Sequence, residues 1–74
     1  MSDQSTYVVC LDNAGYLVSL EPRKIYRRLP DDRAENDGLM RVVDESGEDY
    51  LYPSRLFAPI DVPEAVERVF SSVA

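Results

Sequence analysis

Few residues in this chain could do chemistry, and they fall into four groups. Cys10 is the one cysteine and histidine is absent. Without histidine the commonest general acid–base side chain and metal ligand is missing. A nucleophilic Cys10 would need a neighbouring base to form its thiolate, and none is indicated. Its setting, Val8-Val9-Cys10-Leu11, is that of a small buried hydrophobe.

Asp44, Glu45, Glu48 and Asp49 form the densest acidic group. An EF-hand loop needs acids at alternating positions, a central glycine and a closing glutamate. Neither this group nor Asp31-Asp32-Arg33-Ala34-Glu35-Asn36-Asp37 has that pattern. A charged hairpin tip that discourages edge-to-edge pairing explains the acids without a metal. The glycine turns carry no phosphate-binding motif. No catalytic residue, cofactor or metal is therefore expected, and the chain reads as a non-enzyme.

The third group is Arg23-Lys24-Ile25-Tyr26-Arg27-Arg28, the basic cluster. An aromatic between cations can stack on single-stranded bases, which makes Arg23, Lys24, Arg27 and Arg28 the candidates for nucleic-acid contact. Against this, the cations alternate faces of a strand and Asp31-Asp32 follow closely. Ion pairing within the chain, with Asp44, Glu48 or Asp49, is the preferred account. The net charge is −6. An acidic chain is repelled by nucleic acid and by anionic membranes. Residues 1–22 carry three acids and no base, 23–43 six bases and four acids, and 44–74 seven acids and two bases. Any nucleic-acid role would rest on the middle segment alone.

The tyrosines form the fourth group. Tyr50 and Tyr52, with Pro53 and Leu56, are the candidates for a protein-interaction surface. Outward-facing tyrosines would make an amphipathic patch of the kind enriched at interfaces. Facing inward, they belong to the core. The sequence leaves both orientations open.

The elements that would position these groups are short. Seventy-four residues make one domain, near the size where a single core only just suffices. One cysteine excludes an intrachain disulfide and points to a reducing compartment. No signal-peptide pattern and no membrane-length apolar run occurs, so a cytoplasmic location is expected.

Residues 1–5 carry no pattern and are expected to be disordered. Residues 6–11 read as a strand. Asp12-Asn13-Ala14-Gly15 suits a turn, and Tyr16–Leu20 reads as the return strand of a first hairpin, ended by Pro22. Lys24–Leu29 follows as a strand between prolines. Residues 30–38 form a polar loop, with one helical turn expected around Asp32–Asn36.

Leu39–Val43 and Asp49–Tyr52 form the second hairpin. A two-residue loop would set Asp44 against Asp49 and Glu45 against Glu48, like charges face to face. A three-residue loop with Gly47 in a bulge sets Val42 opposite Tyr50 and Met40 opposite Tyr52. The bulged turn is preferred. Pro53-Ser54-Arg55-Leu56 is expected to make a 3₁₀-like corner before Phe57–Ile60. Asp61 and Glu64 have capping-box spacing. Val62, Ala65, Val66, Val69, Phe70 and Val73 then share one face of a short helix, which must dock on the domain or on a partner.

Tyr52-Pro53-Ser54-Arg55-Leu56-Phe57-Ala58-Pro59-Ile60 resembles the corner of Src-homology-3 (SH3) domains. More broadly, residues 7–60 resemble a group of small bacterial and phage proteins with no established activity. Cys10-Leu11-Asp12-Asn13, Lys24, Tyr26, Arg41 to Glu48, Tyr52-Pro53 and Phe57 carry that likeness. The resemblance implies a fold and no mechanism. It departs from peptide-binding SH3 domains, because tryptophan is absent and Leu56 stands where a groove tyrosine is expected. Polyproline binding is therefore disfavoured.

The expected architecture is all-β: a five-stranded SH3-like barrel over residues 6–61 with a short C-terminal α-helix over 62–74. The expected function is a non-enzymatic protein-interaction or regulatory module with a protein partner. Nucleic-acid binding through segment 23–28 is the alternative. The chain is expected to be a monomer, or a weak homodimer through its C-terminal helix.

Overall fold

Runs of β-branched and aromatic residues separated by polar, proline- or glycine-containing turns settle into five strands. A computed structural model describes residues 7–72, with side chains described through residue 70. The strands are β1 (Tyr7–Cys10), β2 (Ile25–Leu29), β3 (Leu39–Val43), β4 (Asp49–Pro53) and β5 (Phe57–Ile60). A short helix α1 (Asp32–Asn36) links β2 to β3, a 3₁₀ turn (Ser54–Leu56) links β4 to β5, and α2 (Glu64–Ser72) follows. The expected disorder of residues 1–5, the first strand's Thr6 and the helix position Val73 lie outside the described residues.

All five strands join one antiparallel sheet in the order β4-β3-β2-β1-β5. The all-β expectation with a C-terminal helix holds in this form, but the sheet is not closed into a barrel. One reason lies on the outer side of β5. The Phe57 amide donates to the Ser54 carbonyl of the 3₁₀ turn, and Pro59 has no amide hydrogen to offer.

One face of the sheet holds the core. Val8, Cys10, Leu20, Tyr26, Val42, Tyr52, Leu56 and Phe57 pack together there, with Tyr16 and Met40 against them. The rings engage edge-on: Tyr16 meets Tyr52 at 4.9 Å and Tyr26 meets Phe57 at 6.4 Å between centroids. Such tilted contacts suit the ring quadrupoles.

The cover over this face corrects the first-hairpin expectation. Tyr16–Leu20 is not a strand. The Tyr16 carbonyl accepts the amides of Ser19 at 3.2 Å and Leu20 at 3.0 Å, which makes a tight turn. Tyr16 and Leu20 point into the core and Leu17 and Val18 point out. Strand alternation would have put Tyr16, Val18 and Leu20 on one side. The loop from Leu11 to Lys24 closes on a single residue: the Cys10 amide donates to the Lys24 carbonyl at 2.9 Å, and the Cys10 carbonyl accepts the Arg23 amide at 2.7 Å. Arg23 adopts a φ of 68° to make that return.

The second hairpin forms as expected. Val42 pairs with Tyr50 and Met40 with Tyr52. The Gly47 amide donates to the Asp44 carbonyl and the Asp44 amide to the Glu48 carbonyl, both at 3.0 Å. Gly47 takes a φ of 86°, the left-handed position of the bulge.

Asp31 caps α1 by accepting the Ala34 amide at 3.0 Å, and its carboxylate also meets Arg41 at 2.9 Å. The α2 helix starts differently from expectation. Val66 and Glu67 donate to the Pro63 carbonyl at 2.9 and 3.2 Å, and no hydrogen bond from Asp61 to the helix forms among the described residues. The helix reaches its own sheet through Phe70, whose ring lies 5.1 Å from that of Tyr7 on the face opposite the core. Val69 points to solvent.

Candidate functional site

The polar groups converge where the hairpin turn meets the covering loop. Asp44 and Glu45, adjacent in sequence, serve opposite sides of this junction. The Asp44 carboxylate is buried and accepts from the Ser46 amide at 2.8 Å, the Ser46 hydroxyl at 2.5 Å and the Tyr52 phenol. Burial pushes the Asp44 carboxyl up, but the bonds from Ser46 and Tyr52 outweigh it and hold the group below its ordinary value. Burial, with the bond to Asp44, pushes the Tyr52 phenol up to about 12.

Glu45 gathers the loop side. Its carboxylate accepts from Lys24 Nζ at 2.8 Å and from the Tyr26 phenol at 2.5 Å, while its amide donates to the Ser19 carbonyl at 3.1 Å. The Lys24 bond, followed by the Tyr26 bond, lowers the Glu45 carboxyl. Burial first, and Glu45 second, raise the Tyr26 phenol. Tyr26 in turn accepts the Glu21 amide at 2.8 Å. These contacts tie the returning half of the covering loop, from Ser19 to Lys24, to the hairpin turn and to β2. They hold two phenols protonated beside two carboxylates.

The basic segment is divided by its own strand. Lys24 pairs with Glu45, and Arg28 is buried and pairs with Glu35 of α1. Pairing within the chain was expected with Asp44, Glu48 or Asp49; for these two cations the acids are Glu45 and Glu35 instead. Arg27 lies on the opposite face, across from Val43 and Tyr7. It borders an open groove of about 530 Å³ whose lining includes Ile25, Leu29, Val43, Asp49 and Phe70. Arg23 is exposed at the loop's return. Lys24 lines that groove beside Arg27, while Arg28 is buried and outside it, so the four cations do not form one continuous surface.

The tyrosine candidates also separate. Tyr50 and Tyr52 share a face of β4, yet Tyr52 is 3 % exposed and Tyr50 50 %. The Tyr50 phenol donates to Glu48 at 2.9 Å near the hairpin tip, and that bond raises it. Leu56 is a core residue at 1 % exposure, and Pro53 is half-buried at the corner. Of the four, Tyr50 alone presents a large exposed surface.

Cys10 is fully buried, its thiol donating to the Asp12 carbonyl at 3.4 Å, and burial raises it. No cluster of three or more acidic, cysteine or histidine side chains able to hold a metal occurs among the described residues. No helix among them is long and apolar enough to cross a membrane.

The strongest surface feature went unmarked in the sequence. Leu17 and Val18 are 76 % and 92 % exposed, side by side at the tip of the covering loop. Reading Tyr16–Leu20 as a strand hid them. The four-residue spacing of Tyr16 and Leu20 was the signal for a turn with its middle turned outward. Comparison of the chain with protein-family models, curated proteins and solved structures returns no match.

Proposed function

We propose that the chain is a small non-enzymatic protein-interaction module, acting as a regulatory or accessory subunit in a reducing, cytoplasmic compartment. The observation that carries this reading is the Leu17–Val18 pair. A chain this short has few apolar side chains to spare for its core, yet here two are displayed on a loop anchored on both sides of them. Tyr16 and Leu20 pack inward, and the Ser19 carbonyl is bonded to the hairpin. A pre-ordered apolar tip loses little conformational entropy when it is covered.

An SH3-like ancestry is consistent with this reading. That ancestry rests on the resemblance carried by Pro53 and Phe57; the long loop between β1 and β2 and the 3₁₀ turn before β5 support it, and the open sheet departs from it. Nucleic-acid binding has less support, because Lys24 and Arg28 are neutralised within the chain and Arg27 faces away from Arg28.

The test compares affinity capture from the native lysate by the parent chain and by Leu17→Ser/Val18→Ser. A protein retained by the parent and lost with the double variant supports the proposal. Equal capture by both, or none by either, sinks it.

A further inference from the structure

The two edges of the sheet differ in what they offer another strand. Along β5, the Leu11 amide bonds to the Leu56 carbonyl and Val9 pairs with Ala58. Antiparallel alternation then turns the backbone of Ala58 and Ile60 toward β1 and that of Phe57 and Pro59 outward. The Phe57 amide is spent on Ser54, and proline has none. That edge shows carbonyls and no donor.

Along β4 the ladder is framed by the Asp44 amide on the Glu48 carbonyl and the Ser54 amide on the Gly38 carbonyl. The same alternation gives Tyr50 and Tyr52 to β3 and turns Asp49 and Leu51 outward with both donor and acceptor. Pro53 falls on an outward position, where its missing amide hydrogen costs β3 nothing. Neither outward amide has a partner among the described residues. Leu51 is 41 % exposed beside them.

We propose that β4 pairs with β4 of a second copy of this chain, antiparallel and centred on Leu51, joining the two sheets into one. In that register the Leu51 residues exchange two backbone bonds, and each Asp49 amide reaches the Pro53 carbonyl of the other copy. Charge selects the direction. At one end of the strand Glu48 is exposed and pairs with no cation among the described residues, while Asp49 beside it is held by Arg41 at 2.9 Å. Arg55, exposed and without an ion pair among the described residues, lies just past the other. Antiparallel pairing brings Glu48 of each copy toward Arg55 of its mate, whereas parallel pairing would set Glu48 beside Glu48. An interface of one short strand falls at the small end of specific contacts, so the dimer is weak and concentration-dependent. This surface is separate from the Leu17–Val18 tip and does not depend on it.

Sedimentation equilibrium on the full chain, from about 10 μM to about 1 mM, covers the range of such interfaces. The expected result is a monomer–dimer equilibrium weakened about tenfold or more by Leu51→Glu. That variant suits the monomer, because position 51 lies opposite Arg41, but it sets two carboxylates face to face in the dimer. Arg55→Glu should weaken the dimer as well, and adding Glu48→Arg should restore it by reversing the pair. A chain monomeric throughout overturns the proposal. So does a dimer indifferent to Leu51→Glu and Arg55→Glu, or one abolished instead by Val69→Asp on α2.

Discussion

The Tyr52 phenol donates to the Asp44 carboxylate across the hairpin, with both groups almost wholly withdrawn from water. The same carboxylate closes the turn through the Ser46 amide and hydroxyl. One acid thus joins the local geometry of residues 44–47 to the packing of the core. A buried charge is tolerated only when its hydrogen bonds are met, and here three donors meet them.

Removing one of those donors has a definite cost. Tyr52→Phe keeps the ring packing against Tyr16 and leaves Asp44 short of a donor. Stability should fall by about 1.5–3 kcal/mol, the range for a hydrogen bond to a charged group, read from the urea midpoint. A loss near zero would mean that water replaces the phenol.

Acid should destabilise the fold through a small set of carboxylates. Asp44, Asp31 and Glu45 are all held below their ordinary values of 3.8, 3.8 and 4.5. A group depressed in the folded state contributes stability above its unfolded value and loses it as pH falls through its folded value. The thermal midpoint should therefore be steady at neutral pH and decline below about pH 4.5. Asp44→Asn, less stable at neutral pH, should show the shallower decline in a series of melts.

Gly47→Ala should cost about 1 kcal/mol, because the bulge holds φ at 86° where a Cβ is strained. Beyond its chain neighbours no atom lies within 4 Å of the added methyl, so the loss is one of backbone conformation. Amide exchange at Asp44 and Gly47 should rise more than exchange in β1. An equal rise in both would place the effect elsewhere.

The Cys10 thiol should label at the rate of global unfolding. It is fully buried and its ionisation is pushed up by that burial, so a reagent has no thiolate to meet in the folded chain. Maleimide labelling followed across a urea titration should track the unfolding curve. Fast labelling in native buffer would reveal a local opening of the loop between Leu11 and Lys24.

How far the sequence carried each feature depended on whether local chemistry or tertiary placement decided it. The hairpin register was legible because Gly47 and the like-charge penalty at Asp44–Asp49 are local. The helical turn at Asp32–Asn36 was legible for the same reason. Tyr16-Leu17-Val18-Ser19-Leu20 misled because five residues satisfy strand alternation and a turn's four-residue spacing equally well. Only the core beneath Tyr16 and Leu20 chooses between them. Tyr50 and Tyr52 had to share a face by alternation, and the structure agrees. Their different exposure comes from where the covering loop ends, which β4 does not encode. The acids that neutralise Lys24 and Arg28 were likewise set by which loops meet in space.

Cys10 is both the gate by which the chain leaves the sheet for the loop of residues 11–24 and the gate by which it returns. Because those gateposts stand together, chain added between Leu17 and Val18 leaves the loop's ends in place and costs only the turn bonds from Ser19 and Leu20 to the Tyr16 carbonyl. Extra residues spliced there extend a path whose ends are already held. A reporter inserted at that point would remove the proposed contact surface and leave the sheet standing. On that proposal, contact and folding are uncoupled by a single splice.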